Sequence, residues 1–440
     1  MQPQPIDAAD FARRLERLGP WPARPSVAVA VSGGRDSLAL TLLVRDWIAE
    51  RRGRLLALTV DHGLRAGSAE EADWVAGLCH RNGIEHRRLV WRHERAPVPG
   101  APVQAAARDA RYRLLQEACR EAGIAVLMTA HQRDDQRETF LLRLAAGSGL
   151  QGLAAMPARR ALPHALVLRP LLDVPRDRLA DTLRQRGQTW LDDPSNDDSR
   201  HRRVALRKAA PRLRAAGLTE RRLDGAGGLF GRLRVQQERL SARLLAQAVA
   251  WHPAGFARVH ADVLHAPIVV ARQALSEVVR GLGGGPDLPG GSAMDRALER
   301  LRGTGRGFTV GGVRFLRRRD GWHAFPEASV LPRLALRPGA RQRWGGFQVD
   351  VDAAAPADLA LQPLSQALWP ALSPALGPAP MPGPILWVQP AVHDGDGLLA
   401  VPTLGWRRGE GAIPLALRFI PEAPVGAFGF TVACDERHII

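Results

Sequence analysis

The sequence predicts an α/β protein whose first half is built on a parallel β-sheet flanked by helices. Short strand-like runs at 27–31, 55–60, 86–91 and 126–130 alternate with stretches of helical periodicity, a pattern typical of parallel sheets. Polar clusters begin where the first, second and fourth runs end. Ligands of such sheets bind beyond the carboxyl ends of the strands, so we expect these clusters to meet at one edge.

The first polar cluster, SGGRDS at 32–37, lies between a predicted strand and a helix that carries Leu38, Leu42, Leu43 and Trp47. Exposed backbone N–H groups and the helix dipole favour phosphate at such a junction. The cluster is not a Walker A loop, which requires a lysine, because the chain's single lysine is Lys208. The predicted phosphate-binding residues are Ser32, Gly33, Gly34, Arg35, Asp36 and Ser37, with the Asp36 carboxylate as the predicted Mg²⁺ ligand.

Local signals predict where several elements begin and end. Ser68 and Glu71 have the spacing of a capping box for a helix over 68–82, and Gly123 is expected to end a helix over 103–122. GSGLQG at 147–152 has the letters of a dinucleotide fingerprint but follows a predicted helix, so we interpret it as a loop.

Three domains are predicted from changes in composition and periodicity along the 440 residues. Residues 1–213 form the nucleotide-binding catalytic domain. Residues 214–325 are mostly helical to about 305 and end in a hairpin formed by 308–316 and 321–325. Residues 326–440 form a small α+β or β-rich domain with β-like pieces at 344–351 and 428–433.

Composition narrows the functional class. The net charge of +17 indicates a polyanionic partner, although all but one of the 61 basic residues are arginine, which also fits a compositional bias. Cys79, Cys119 and Cys434 form no CxxC pair, which argues against structural zinc and a disulfide framework. No apolar stretch approaches a membrane span, and the first residues are charged and carry no signal-like apolar core. We therefore expect a cytoplasmic protein without a membrane partner.

Four further motifs follow SGGRDS in order: VDHGLR (60–65), AARDARY (106–112), HQRDDQRET (131–139) and DPSN (193–196). SGGRDS fits the SGGxDS loop of the N-type ATP pyrophosphatases, and the whole set, over about residues 26–210, resembles bacterial tRNA(Ile)-lysidine synthases. The resemblance implies a Rossmann-like, adenine nucleotide alpha-hydrolase-like fold for the first domain. It also implies that the second and third domains contact tRNA.

In that family, ATP activates the C2 oxygen of the first anticodon cytidine of an isoleucine tRNA with a CAU anticodon, and pyrophosphate is released. The amine of free lysine then displaces AMP. The resemblance thus implies a ligase that uses ATP and Mg²⁺, with that tRNA and free lysine as partners and a homodimer as a possible assembly. Two alternatives stay open: another ATP pyrophosphatase, such as a tRNA thiolation enzyme or an amidotransferase synthetase, and a non-catalytic RNA-binding protein.

The residues suit this chemistry. Cationic groups and Mg²⁺ stabilise charge on phosphates during adenylation, whereas the lysine ammonium must be held by carboxylates and lose a proton before it attacks. Positions 131, 135 and 138 have helical spacing, which predicts that they share one helix face. The catalytic candidates are Asp36, Arg111, His131 and Asp135. The lysine-binding candidates are His131, Asp134, Asp135 and Glu138. Other candidates are Arg108, Asp61, His62 and Arg207.

Each candidate also has a purely structural interpretation. His131 fits a helix cap or a surface histidine, Asp134 and Asp135 fit carboxylates that complement a helix dipole, and Asp61 and His62 fit turn residues. Arg108 and Arg111 fit a solvated helix face that pairs with Asp109 or Glu117. Arg207 lies in the basic stretch 200–214, where the family carries an Arg-Asn pair and this chain has Arg200-His201. Charge runs of this kind often form solvated faces, so the roles of Arg202, Arg203 and Arg207 stay open.

Overall fold

The computed structural model describes residues 4–63, 67–91, 103–191, 202–283, 289–409 and 413–421. They fall into two compact units, which we call unit 1 (Met1–Val235) and unit 2 (Gln236–Phe430). Several predicted features lie outside the described residues: the Leu64-Arg65 end of VDHGLR, the DPSN motif, the Arg200-His201 pair and the β-like piece at 428–433.

Unit 1 alternates strands and helices. Its strands are β1 (Ser26–Ala30), β2 (Arg54–Asp61), β3 (Glu85–Val90), β4 (Val126–Met128), β5 (Arg159–Ala161) and β6 (Leu166–Leu168). Its helices are α1 (Ala8–Glu16), α2 (Arg35–Glu50), α3 (Ser68–Arg81), α4 (Val103–Glu121), α5 (Arg133–Ala145), α6 (Leu150–Leu153), α7 (Arg176–Gln185), α8 (Arg202–Ala215) and α9 (Glu220–Ala248), the last of which ends in unit 2.

The six strands form one sheet in the order β3-β2-β1-β4-β6-β5. All neighbouring pairs are parallel except β5 and β6, which are antiparallel. The predicted parallel α/β fold is therefore confirmed. Because β1 is central, its carboxyl end delivers the SGGRDS loop to the middle of the ligand-binding edge.

Both faces of the sheet are buried, because alternate residues of each strand point to opposite sides. Val27 and Val29 of β1 pack on one face against α1, α2, α3 and α7. Ala28 packs on the other face against Tyr112 and Leu115 of α4. The helix that follows SGGRDS and the helix that carries AARDARY thus cover opposite faces.

Two local predictions for unit 1 are wrong. The predicted capping box of α3 is not formed, because Gly67 is the N-cap residue, with φ +91°, and no side chain caps the helix there. Residues 131, 135 and 138 do not share one helix face, because Gln132 is the N-cap of α5 and His131 precedes the helix. The predicted end of α4 is confirmed, since the helix stops at Glu121 and Gly123 has φ +66°.

The described residues of unit 2 form three antiparallel sheets. Their strands are β7 (Val249–His252), β8 (Phe256–Val259), β9 (Gly307–Val310), β10 (Val313–Arg318), β11 (Gly321–Pro326), β12 (Leu334–Ala335), β13 (Arg341–Trp344), β14 (Phe347–Val351), β15 (Ala360–Pro363), β16 (Pro390–Asp394), β17 (Gly397–Val401), β18 (Trp406–Arg407) and β19 (Leu415–Phe419). The sheet orders are β7-β8-β11-β10-β9, β12-β15-β16-β17-β18 and β13-β14-β19. The helices are α10 (Ile268–Gly281), α11 (Gly291–Arg302), α12 (Trp369–Leu376) and α13 (Gly383–Leu386).

The helical prediction for 214–305 holds for most of that stretch, but the β7–β8 pair within it was not predicted. The predicted hairpin over 308–325 is wrong in detail. Gly311 and Gly312 both have positive φ and divide the first arm, so β9, β10 and β11 form three strands. The β-rich character of the C-terminal region is confirmed by the two sheets that follow.

Candidate active site

The SGGRDS loop is fixed by its own hydroxyl groups. Ser37 Oγ accepts a hydrogen bond from the Ser32 backbone N–H at 3.2 Å and donates to the Gly34 carbonyl at 2.8 Å. Gly33 has φ +79°, a backbone conformation that favours glycine, and a Cβ there would lie 2.8 Å from Leu191 Cδ1 and displace that side chain. Gly34 is the N-cap residue of α2, and no side-chain hydrogen bond caps the N-terminus of this helix. The N-terminus of α2 therefore has the character of an anion site.

Asp36 lies in the first turn of α2 and is mostly buried. Burial raises the pKa of its carboxyl group to about 6, Arg35 opposes that rise, and the charges of Asp135 and Asp134 add to it. Arg35 Nε lies 3.2 Å from Asp36 Oδ1. The fold thus brings the SGGRDS loop and the start of α5 close enough for their carboxylates to repel one another.

The start of α5 is held by a network of short contacts. The Asp134 backbone N–H donates to Gln132 Oε1 at 2.7 Å, and the Gln132 backbone N–H donates to Asp135 Oδ2 at 3.0 Å. His131 Nδ1 lies 3.0 Å from Thr129 Oγ1, at the end of β4. Asp135 therefore caps the helix, as its structural interpretation expects, and at the same time lies close enough to Asp36 to repel it.

Glu138 is buried one turn further along α5, and Arg207 Nε of α8 donates to its Oε1 at 2.6 Å. Burial lowers the pKa of Arg207, but Glu138, Asp135 and Asp134 outweigh that effect and raise it. The four predicted groups Asp134, Asp135, Glu138 and Arg207 are therefore brought together. Arg207 places a guanidinium cation inside this acidic cluster.

Arg137 anchors the same helix to α9. Its Nε and Nη2 atoms donate to Asp224 Oδ1 and Oδ2 at 2.7 and 2.6 Å, and its Nη1 lies 3.0 Å from Asp134 Oδ1. Paired contacts of this geometry fix orientation as well as distance. Arg137 and Asp224 were not among the candidates, and they position the acidic cluster from outside.

Asp61 is engaged elsewhere. Its Oδ2 accepts from Arg88 Nη2 at 2.5 Å, and its Oδ1 accepts from the Gly63 backbone N–H at 3.0 Å. Arg88 chiefly lowers the pKa of Asp61. His62 packs edge-to-face on Trp91, with ring centroids 5.9 Å apart. These contacts support the turn interpretation of both residues.

Arg108 and Arg111 lie on the face of the sheet that α4 covers. Their guanidinium carbons are 5.4 and 5.9 Å from the centroid of the Tyr112 ring. Arg160 of β5 approaches the same ring to 5.9 Å, and the buried Arg169 lies beside the Tyr112 hydroxyl. We call these residues, Arg108, Tyr112, Arg160 and Arg169, the Tyr112 cluster.

The state of the cysteines bears on thiol chemistry, and the length and polarity of the helices bear on membrane insertion. Cys79 and Cys119 are buried, and burial raises the pKa of each thiol to about 11, so neither is a reactive thiolate. Throughout the described ranges, no helix combines the length and apolar character of a membrane span.

Comparison with known proteins identifies the family. A family model described as a PP-loop domain matches residues 8–213. A tRNA(Ile)-lysidine synthase of Methylobacterium nodulans is 41% identical over 68% of this chain and 85% of its own length. One from Rhizobium meliloti is 36% identical over 83% of this chain and 81% of its own. The chain belongs to the tRNA(Ile)-lysidine synthase family. Among solved structures, a U34-tRNA thiolase from Methanococcus maripaludis matches with a TM-score of 0.42 and 18% identity, over 50% of this chain and 79% of that one.

In this member of the lysidine synthase family, one missed residue carried a sequence signal. Arg169 directly follows β6, so the rule that polar residues at strand ends reach the ligand edge applies to it as it does to Asp61 and His131. Arg160 and Asp224 carried no such signal, because their partners Tyr112 and Arg137 are distant in sequence and only the folded chain brings them into contact.

Proposed function

We propose that this chain attaches lysine to C2 of the first anticodon cytidine of an isoleucine tRNA with a CAU anticodon, using ATP. In the first step the C2 oxygen attacks the α-phosphate of ATP and pyrophosphate leaves. In the second step the amine of free lysine attacks C2, and AMP leaves. The observation that carries the proposal is the meeting of Asp36 with Asp134 and Asp135 in a chain of this family.

The SGGRDS loop is suited to the phosphates of ATP. The uncapped first turn of α2 offers backbone N–H groups, and the Ser32–Ser37 hydrogen bonds hold the loop in shape. Arg111 supplies a cation for the charge that develops on the phosphates.

Asp36 would hold Mg²⁺, which neutralises phosphate charge. Among the described residues no three acidic, histidine or cysteine side chains converge as a ligand set, which fits an ion held by one or two carboxylates and by substrate phosphates. The buried, raised-pKa carboxyl of Asp36 fits this role, because a cation would relieve its repulsion with Asp135 and Asp134.

The start of α5 is suited to the lysine ammonium group. Asp134 and Asp135 are half-buried and negatively charged, and Glu138 lies behind them with Arg207. Carboxylates hold the ammonium, whose ordinary pKa is about 10.4, and the amine must lose a proton before it attacks. His131, at the turn that leads into α5, is the proposed proton acceptor.

The decisive assay follows labelled lysine into RNA. The full chain is incubated with ATP, Mg²⁺, labelled lysine and a CAU-anticodon isoleucine tRNA transcript, and a GAU-anticodon transcript serves as the substrate control. We expect incorporation into the first transcript alone, loss of it in Asp36→Ala, and unchanged incorporation in Glu16→Gln, which removes an exposed carboxyl of α1. Absence of incorporation beside an active control enzyme would overturn the proposal. Light scattering of the same sample tests the accompanying proposal of a homodimer.

A further inference from the structure

The Tyr112 cluster gathers positive charge around one aromatic ring. Guanidinium groups of Arg108 and Arg160 lie over the ring of Tyr112, at distances where cations are attracted to aromatic faces. Arg169 is only 2% exposed and lies close enough to Arg108 and Arg160 for their charges to repel. A guanidinium group does not lose its proton in proteins, so this repulsion persists at all ordinary pH values.

No balancing anion lies in the cluster among the residues that the structure describes. Within the described residues, Arg108, Arg160 and Arg169 form no ion pair with a carboxylate, and Arg169 Nη1 donates instead to the neutral Pro157 carbonyl at 2.8 Å. Arg169 Nε is buried without a hydrogen-bond partner in that part of the chain, and the only polar side chain beside the Arg169 guanidinium there is the neutral hydroxyl of Tyr112. Buried charges are normally paired, because an unpaired one loses its hydration without compensation.

The cluster is separate from the SGGRDS loop. Tyr112 belongs to the face of the sheet opposite to α2. Arg169 follows β6, which lies two strands from β1, and at about 4.8 Å per strand the two strand ends are roughly 10 Å apart. Both sites nevertheless lie at the same carboxyl edge, where a substrate that contacts one is within reach of the other.

We propose that Arg108, Tyr112, Arg160 and Arg169 bind a backbone phosphate of the RNA substrate, at a subsite distinct from the loop that takes ATP. The guanidinium fork matches phosphate geometry, and Arg160 is exposed and leaves the subsite open to solvent. Contacts to phosphate position a nucleic acid without reading its sequence. The inference rests on the proposed function, which supplies the RNA, and moves Arg108 from the phosphates of ATP to those of tRNA.

The test measures tRNA binding and ATP use separately. Arg108→Gln and Arg160→Gln are compared with Arg113→Gln, which removes an exposed arginine from the same helix α4 outside the cluster. The Kd for the CAU transcript is measured without ATP between about 50 and 200 mM salt, where phosphate contacts dominate affinity. We expect each cluster variant to weaken binding about five- to tenfold and to reduce the slope of log Kd against log salt by about 0.7 to 0.9, with KM for ATP and the control variant unchanged.

Tyr112→Phe keeps the ring and removes the hydroxyl, and should weaken binding less than Arg160→Gln. An increase in KM for ATP with unchanged tRNA affinity would assign the cluster to ATP and overturn the proposal. Equal effects of Arg113→Gln and Arg160→Gln, or no effect of any variant, would show that the cluster is no specific subsite. If RNA binding depends on the cluster but wild-type chain incorporates no lysine, the proposed function fails and the subsite stands. If the wild-type chain incorporates lysine but RNA binding does not depend on the cluster, the subsite proposal fails and the proposed function stands.

Discussion

Replacing Asp36 with asparagine should stabilise the protein while it abolishes activity. The pKa of the Asp36 carboxyl is 3.8 in an unfolded chain and about 6 in the folded one, chiefly because the group is buried. The folded state therefore holds this proton more tightly. Stability from this group is fully present below pH 3.8 and is lost as the pH rises through 6.

The magnitude follows from that difference in pKa. At about 1.4 kcal/mol per pKa unit, ionisation of Asp36 costs the folded state about 3 kcal/mol at pH 7.5 and roughly half of that at pH 5. The side chain keeps 25% of its exposure, so solvent screening makes this an upper value. Asparagine is neutral at both pH values, and we expect Asp36→Asn to gain about 1 to 3 kcal/mol at pH 7.5 and less at pH 5.

Hydrogen–deuterium exchange of peptides from α2 measures this directly, because the amides of a buried helix report the free energy of opening around Asp36. Glu16→Gln, which removes an exposed carboxyl, is the matched control and should change nothing. The raised pKa is refuted if the α2 amides of Asp36→Asn and the wild type exchange equally fast at pH 7.5, or if the variant gains the same protection at both pH values. Either result would show that burial and carboxylate repulsion do not raise the pKa of Asp36.

Three further predictions test the site and the core. Arg207→Gln removes the cation beside buried Glu138 and should cost about 1 to 3 kcal/mol of unfolding free energy in urea titrations. Gly33→Ala should lower the thermal midpoint and weaken ATP binding, because φ is +79° and the new Cβ meets Leu191, and trimming Leu191 to alanine should recover only part of the loss. Burial raises the pKa of Glu277 to about 7, so Glu277→Gln should stabilise the chain above pH 7 and leave it unchanged near pH 4.

Each of these has a contrary outcome. An unaltered urea midpoint in Arg207→Gln would mean that Glu138 is satisfied without it. Full recovery of Gly33→Ala by the second substitution would show that contact, and not backbone conformation, selects glycine. A Glu277→Gln effect of the same size at acidic and neutral pH would show that its proton is not involved.

The sheet of unit 1 was predictable because its signals are local. Short β-branched runs such as 27–31 are unfavourable as helices, and the helical apolar periodicity that follows is unfavourable as a strand. Each segment therefore favours one type of secondary structure. Gly123 ended α4 as predicted, because the chain needs a left-handed residue there.

Local signals failed where a distant partner competes for a side chain. Ser68 donates to the Asp61 carboxyl and does not cap α3, and Gly67 takes the N-cap position instead. His131 has the helical spacing from Asp135, but spacing does not reveal where a helix begins, and the Gln132 amide caps α5 one residue later. The β7–β8 pair had a readable signal in Gly255, with φ +79°, between two short runs.

In the candidate site, too, the local motifs were predictable and the contacts between residues distant in sequence were not. SGGRDS and HQRDDQRET were found because each is contiguous and ends a strand. The partnership of Glu138 with Arg207 spans 69 positions, and the Tyr112 cluster draws on α4, β5 and the end of β6. Such contacts are set by how helices and strands pack, which periodicity does not encode.

Tyr112 is the only tyrosine among the 440 residues. Growth on 3-fluorotyrosine would therefore place a single fluorine nucleus in the chain, among the three arginine side chains of the Tyr112 cluster. One ¹⁹F resonance, free of assignment work, would follow any anion that enters the cluster. Titration with ATP, with inorganic phosphate and with tRNA could then be read on the same line, in the full-length enzyme and without a single substitution.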